Sequence, residues 1–193
     1  MMRQPQPNPR QSTGYQTEMV SRYLNSSQAI KHRTFHDEKL PILESEARIV
    51  GINRLGITTP STGKPYIGTV GLLCCVGIAI YDPDIQVAGV AHLAFGQGFP
   101  NPMISLCKIS CDLIAVADKA SGSDKEGKSK YNLFYFNISE GSRMPEETIA
   151  LQEISLATVK GLYKIGKLRG FEFRDERDFL IDSRSGELIV GRL

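Results

Sequence analysis

Two apolar, β-branched runs on either side of Asp82-Pro83-Asp84 constrain the fold of this chain more than any other feature. Proline presets φ at the turn and aspartate tolerates the bend, so the chain is expected to reverse there. Val76–Tyr81 and Val87–Ala94 then pair as a β-hairpin, the second strand lying within Gln86 to Phe95. Upstream, Tyr66 to Val70 is a further apolar strand, with glycines between it and the hairpin.

The remaining elements follow from local signals. Arg48 to Ile52 reads as a short strand, and Thr58 to Lys64 as a loop by its Pro, Gly and Ser content. Pro100 to Pro102 marks a break, after which Met103 to Lys119 is helical, with apolar positions around most of its circumference and so largely buried. Ser121 to Lys130 is a polar loop and Leu133 to Ile138 a strand. Pro145-Glu146-Glu147 opens a second helix, where an early proline and acidic first turn suit the helix dipole. It is expected to run to about Lys167, with Ile149, Ile154, Leu156, Val159, Leu162 and Ile165 on its inner face. Phe171–Phe173, Phe179–Ile181 and Glu187 to Arg192 complete the strands, the last two joined by a turn at Ser183-Arg184-Ser185-Gly186. The order predicts an α+β fold, sheet layers covered by two main helices. Residues 46–193 form the globular domain. Residues 1–45 are rich in Gln, Pro, Asn, Ser and charge and read as a flexible polar arm, with a short helix around Glu18 to Ile30.

Bulk properties narrow the function classes. The chain has 193 residues, enough for a sizeable core, and a net charge of +2 with no run of like charges. A nucleic-acid binder needs a basic stripe, which is absent. The longest apolar run, Ile67 to Ile80, holds three glycines and is too short to cross a bilayer. The N-terminus lacks the apolar middle of a secretory signal, which predicts a cytoplasmic protein and leaves export by a specialised route open.

The four cysteines, Cys74, Cys75, Cys107 and Cys111, read as reduced thiols of a reducing compartment. With no CxxC pair and no histidine at ligand spacing, no metal or cofactor is expected. Cys107 and Cys111 share a helix face and are expected to pack in the core. Cys74, pointing away from Cys75, is expected to be a core thiol as well. His32 and His36 fall in the polar arm and are expected to be solvated.

Cys75 follows a glycine-bearing turn and opens a strand, and the facing strand of the hairpin carries His92. Such a turn can aim backbone N–H groups at a developing oxyanion. If the strands lie side by side, Cys75 and His92 come across from one another, and a thiol beside an imidazole is the minimum for a thiolate nucleophile. Thr69, on a neighbouring strand, offers a hydroxyl to orient the imidazole. The alternative reading of the same residues is a buried, inert thiol and a structural histidine.

The run Thr69-Val-Gly-Leu-Leu-Cys-Cys75-Val-Gly-Ile-Ala-Ile-Tyr-Asp-Pro, followed by Gly89-Val-Ala-His92, resembles the signature of the CheD family, chemoreceptor glutamine deamidases of bacterial chemotaxis. The Thr, Cys, Asp-Pro and His fall at that family's spacing. A weaker likeness extends to Ile49-Val-Gly-Ile and to Arg177 through Val190. The resemblance implies the sandwich shared with cytotoxic-necrotizing-factor deamidases. It implies Cys75 as nucleophile, His92 as general base and Thr69 as the residue orienting His92. It also implies hydrolysis of a protein glutamine to glutamate, or of a glutamyl methyl ester, without a cofactor. Leu73-Cys74 stands where the family has Gly-Ser. Two other functions fit the same scaffold. One is a non-catalytic adaptor binding a receptor or a signalling phosphatase. The other is a secreted effector that deamidates host proteins.

Overall fold

The computed structural model describes residues 45–73, 75–94, 102–121, 129–137 and 145–190, together with Ile42. All belong to one unit spanning residues 34–193. The arm, its expected helix, His32, His36 and Cys74 lie outside the described residues.

The hairpin forms as the sequence predicts. β4 (Cys75–Asp82) and β5 (Val87–Ala94) pair antiparallel in unbroken register from Cys75↔Ala94 to Asp82↔Val87. All sixteen residues are buried. The turn between them is held by Asp82, whose carboxylate accepts from the Asp84 N–H at 2.9 Å and the Lys130 N–H at 3.0 Å.

The hairpin is the middle of a five-stranded mixed sheet. On one side β5 pairs with β2 (Arg54–Thr58). On the other, β4 pairs with β6 (Tyr131–Phe136), which runs parallel to β7 (Leu168–Arg174). A second, four-stranded sheet holds β1 (Ala47–Ile49), β3 (Tyr66–Thr69), β8 (Phe179–Asp182) and β9 (Leu188–Val190) in the order β1-β3-β8-β9. The helices are α1 (Pro102–Ala120) and α2 (Pro145–Lys164).

Strand alternation sorts the core into two layers. Val76, Ile78 and Ile80 of β4, with Val87, Ala91 and Leu93 of β5, pack against Leu106, Leu113 and Ala117 of α1 and Leu151, Ile154 and Val159 of α2. The opposite face carries Cys75, Ala79, Tyr81, Ala88, Val90 and Ala94, which meet Ile67, Phe179 and Ile181 of the smaller sheet. Helices therefore cover one face of the large sheet and the second sheet covers the other. This explains why the hairpin strands are apolar throughout instead of alternating apolar and polar. Phe136 and Phe179 stack between the sheets with centroids 3.6 Å apart.

Both helices depart from expectation in which face they bury. α1 exposes a stripe that includes Cys107, Lys108, Cys111 and Val116, so it is covered on one side only. Cys107 and Cys111 share a face as expected, but that face is exposed, and they are not core thiols. α2 ends at Lys164, short of the expected Lys167. Its buried stripe is Leu151, Ile154, Ser155, Thr158, Val159 and Leu162, while Ile149 and Leu156, and Ile165 just beyond the helix, are exposed. Two hydroxyls occupy core positions because each is satisfied inside the helix. Ser155 donates to the Leu151 carbonyl at 2.7 Å and Thr158 to that of Ile154 at 2.9 Å.

Candidate active site

Thr69 and His92 meet between the two sheets. Thr69 is the last residue of β3 in the small sheet and His92 lies near the end of β5 in the large one. Both are buried, at 0% and 1% exposure. Their contact bridges the layers: Thr69 Oγ1 lies 2.7 Å from His92 Nδ1. The same hydroxyl donates to the Val50 carbonyl at 2.7 Å. A carbonyl can only accept, and a hydroxyl has a single proton. Thr69 therefore gives its proton to Val50 and accepts from His92, which fixes the ring as the Nδ1–H tautomer. Nε2 is left with a bare lone pair, buried and without a hydrogen-bond partner among the described residues. An unsatisfied buried acceptor costs stability and marks a site for a proton or a ligand.

Burial also sets the charge of the ring. Desolvation pushes the His92 pKa down to about 4, against a smaller opposing contribution from the Val50 carbonyl. The imidazole is neutral at physiological pH and available as a base.

The structure corrects one detail of the pairing. Cys75 is not across from His92. Its cross-strand partner is Ala94, and the partner of His92 is Gly77. Cys75 and Gly77 are two apart on one strand, so Cys75 and His92 point to the same face as diagonal neighbours. Such pairs stand about 7–8 Å apart at Cα and less at Cβ, and His92 Nε2 makes no hydrogen bond to the Cys75 thiol. Gly77 is required at the intervening position. A Cβ there would meet Leu72 Cδ1 at 2.7 Å and Phe179 Cε1 at 2.9 Å. Cys75 is 3% exposed, so thiol and imidazole are both covered.

The turn before Cys75 is anchored from several sides. Gly71 sits at φ 73°, a left-handed conformation that favours glycine. Its N–H donates to Asp178 Oδ1 at 2.6 Å, the Leu72 N–H to the Arg177 carbonyl at 3.1 Å, and the Leu73 N–H to the Gly71 carbonyl at 2.8 Å. These three amides are engaged within the fold and are not free to hold an oxyanion, contrary to one use expected of the turn. Leu73 is half exposed at the surface of the turn.

Sequence reasoning missed Asn137. It follows β6 in a left-handed conformation, φ 57°, which Asn tolerates better than most residues. Its buried side-chain amide donates to the carbonyls of Leu72, Leu73 (3.2 Å) and Cys75 (2.9 Å). One side chain thus ties down the turn and the backbone of Cys75. Among the described residues no group of three or more His, Cys, Asp or Glu is placed to hold a metal, and no helix is long and apolar enough to cross a membrane.

No family model matches the chain, and no curated protein does. Among solved structures, the Bacillus licheniformis hypothetical protein YfiH is similar at 11% identity and a TM-score of 0.35, over 65% of this chain. The match spans 56% of that protein, just over half its length. Similarity at this level carries no argument about activity.

Proposed function

We propose that this protein is a CheD-like, cysteine-dependent protein-glutamine deamidase. The observation that carries the reading is the Val50–Thr69–His92 hydrogen-bond chain, which leaves a bare Nε2 on the face that Cys75 shares. In this mechanism Nε2 takes the Cys75 thiol proton as Sγ attacks the side-chain amide carbon of a glutamine. The C–N bond then breaks, and ammonia leaves with the proton returned by His92, giving a thioester. Water attacks the thioester while Nε2 takes its proton. The C–S bond breaks, the proton returns to sulfur, and glutamate is released. A glutamyl methyl ester would follow the same course with methanol leaving.

A second reading, a non-catalytic adaptor, draws on the burial of Cys75 and His92 and on the exposed Leu73 beside them. Ammonia release from glutamine-bearing proteins separates the two, with the converted residue located by peptide mass. The deamidase reading expects turnover that Cys75→Ser and His92→Ala both abolish. Deamidation that survives alkylation of Cys75 would end it.

A further inference from the structure

β7 ends one side of the large sheet: it pairs with β6, and no strand lies beyond it among the described residues. From Gly170 to Arg174 its register with β6 is unbroken. The Arg174 carbonyl accepts from the Asn137 N–H at 2.8 Å, so Arg174 turns its backbone groups toward β6. Bonding alternates along a strand, so Glu172 faces β6 as well, while Phe171 and Phe173 turn their N–H and C=O outward. Within the described residues no hydrogen bond takes these outward groups up. The rings of Phe171 and Phe173 are exposed too, and meet edge to face at 5.7 Å; Tyr163 of α2 meets Phe171 at 6.4 Å. A bare edge that carries exposed aromatic side chains is a template for another strand.

The charges on the strand select both partner and register. We infer that β7 pairs antiparallel with β7 of a second copy of this chain, about a two-fold axis at Phe173, joining the two large sheets into one. Such a contact is isologous, so each residue meets its mirror position along the strand. With the axis at Glu172, two carboxylates would oppose each other, which is destabilising. With the axis at Phe171, Glu172 would face Gly170 and gain no charged partner. With the axis at Phe173, that residue exchanges both backbone bonds with its own copy, and Glu172 of each chain faces Arg174 of the other. Those two charged pairs fall at the non-hydrogen-bonded positions, where side chains come closest. Edges that avoid pairing carry like charge; the alternation of Glu172 and Arg174 does the reverse. Arg174 already holds Glu172 and Glu176 of its own chain, each at 2.8 Å. All three side chains are partly exposed, so sharing the guanidinium with the partner's carboxylate costs little.

The test is sedimentation velocity of the full chain over a concentration series, with far-UV circular dichroism to check that each variant folds. Wild type should form a dimer whose share rises with concentration. Glu172→Arg and Arg174→Glu each set like charges against one another twice across the axis, and each should raise the dimer dissociation constant about tenfold or more. The double variant Glu172→Arg/Arg174→Glu restores opposite signs and should return the constant close to its wild-type value. Phe173 lies on the axis and faces itself. Phe173→Glu and Phe173→Lys should therefore each be monomeric alone and pair with one another when mixed, which carries the test if a reversal at Glu172 or Arg174 unfolds the chain. A wild-type chain that stays monomeric at every concentration overturns the inference. So does a dimer that the folded single reversals leave intact, one that the double variant fails to restore, or a mixture of the two Phe173 variants that stays monomeric.

Discussion

Replacing Thr69 by valine removes a single oxygen and breaks two buried interactions at once. The Val50 carbonyl loses its donor and His92 Nδ1–H loses its acceptor, in a layer where Thr69 is fully buried. Each orphaned polar group costs about 1–3 kcal/mol, so the variant should lose about 2–6 kcal/mol. For a domain of this size that lowers Tm by roughly 4–24 °C. Valine keeps the shape of threonine, so packing contributes little to the difference. The second effect falls on chemistry. Without the hydroxyl the ring loses the contact that fixes its tautomer. General-base assistance is worth about 10²–10⁴-fold, and the variant should forfeit a substantial part of it. The assays are thermal unfolding and alkylation of Cys75 by iodoacetamide at neutral pH, read by peptide mass so that Cys107 and Cys111 are scored separately. Thr69→Ser restores the oxygen and should recover most of both losses. A Thr69→Val protein that melts and alkylates like wild type would refute the hydrogen-bond chain as the organiser of the site.

His92 should also leave a signature in stability. Its folded pKa of about 4 lies below the ordinary 6.5, so between those values the unfolded state binds more protons. The neutral ring's contribution is complete above pH 6.5 and is lost as pH falls toward 4, about 3 kcal/mol in all. Urea unfolding at pH 7.5 and 4.5 should show this loss in wild type and its absence in His92→Gln. Identical pH profiles would mean that the ring is not held neutral by burial. At Asn137, the Gly variant keeps the left-handed backbone and removes only the amide that holds three carbonyls. It should lose roughly 1–3 kcal/mol and change the alkylation rate of Cys75, with Asn137→Ala lower again by about 1 kcal/mol for its backbone. If Asn137→Gly matches wild type in both measurements, the amide does not hold the turn.

What the sequence made legible follows from how local each signal is. The hairpin was readable because Asp82-Pro83-Asp84 and its two apolar runs lie together in the chain, and the structure places both strands within a residue of expectation. β2 was missed, because Arg54-Leu55-Gly56-Ile57-Thr58 carries a charge and a glycine and sits at a sheet edge, where only one neighbour has to be matched. The buried face of α2 was misread by following its apolar residues. The core accepts Ser155 and Thr158 because their hydroxyls bond within the helix, while Ile149 and Leu156 remain outside. In the site, Thr69, Cys75 and His92 could be named because their residue types carry chemistry. Asn137 could not, since its partners are backbone carbonyls that any sequence supplies.

The same burial that organises the site changes how a thiol there would have to react. The sequence suggested a thiolate nucleophile formed beside an imidazole. The layer around His92 is apolar, however, and desolvation disfavours a charged ring. An isolated imidazolium between the sheets has only the Thr69 oxygen at Nδ1. Its charge becomes tolerable when a negative charge develops beside it, which happens as sulfur loses its proton. In the proposed deamidase, proton transfer from Cys75 to Nε2 is then expected to accompany attack on the amide carbon rather than precede it. The rate should fall in deuterated water for the wild-type chain, and an unchanged rate would indicate that an ion pair already exists before the client arrives.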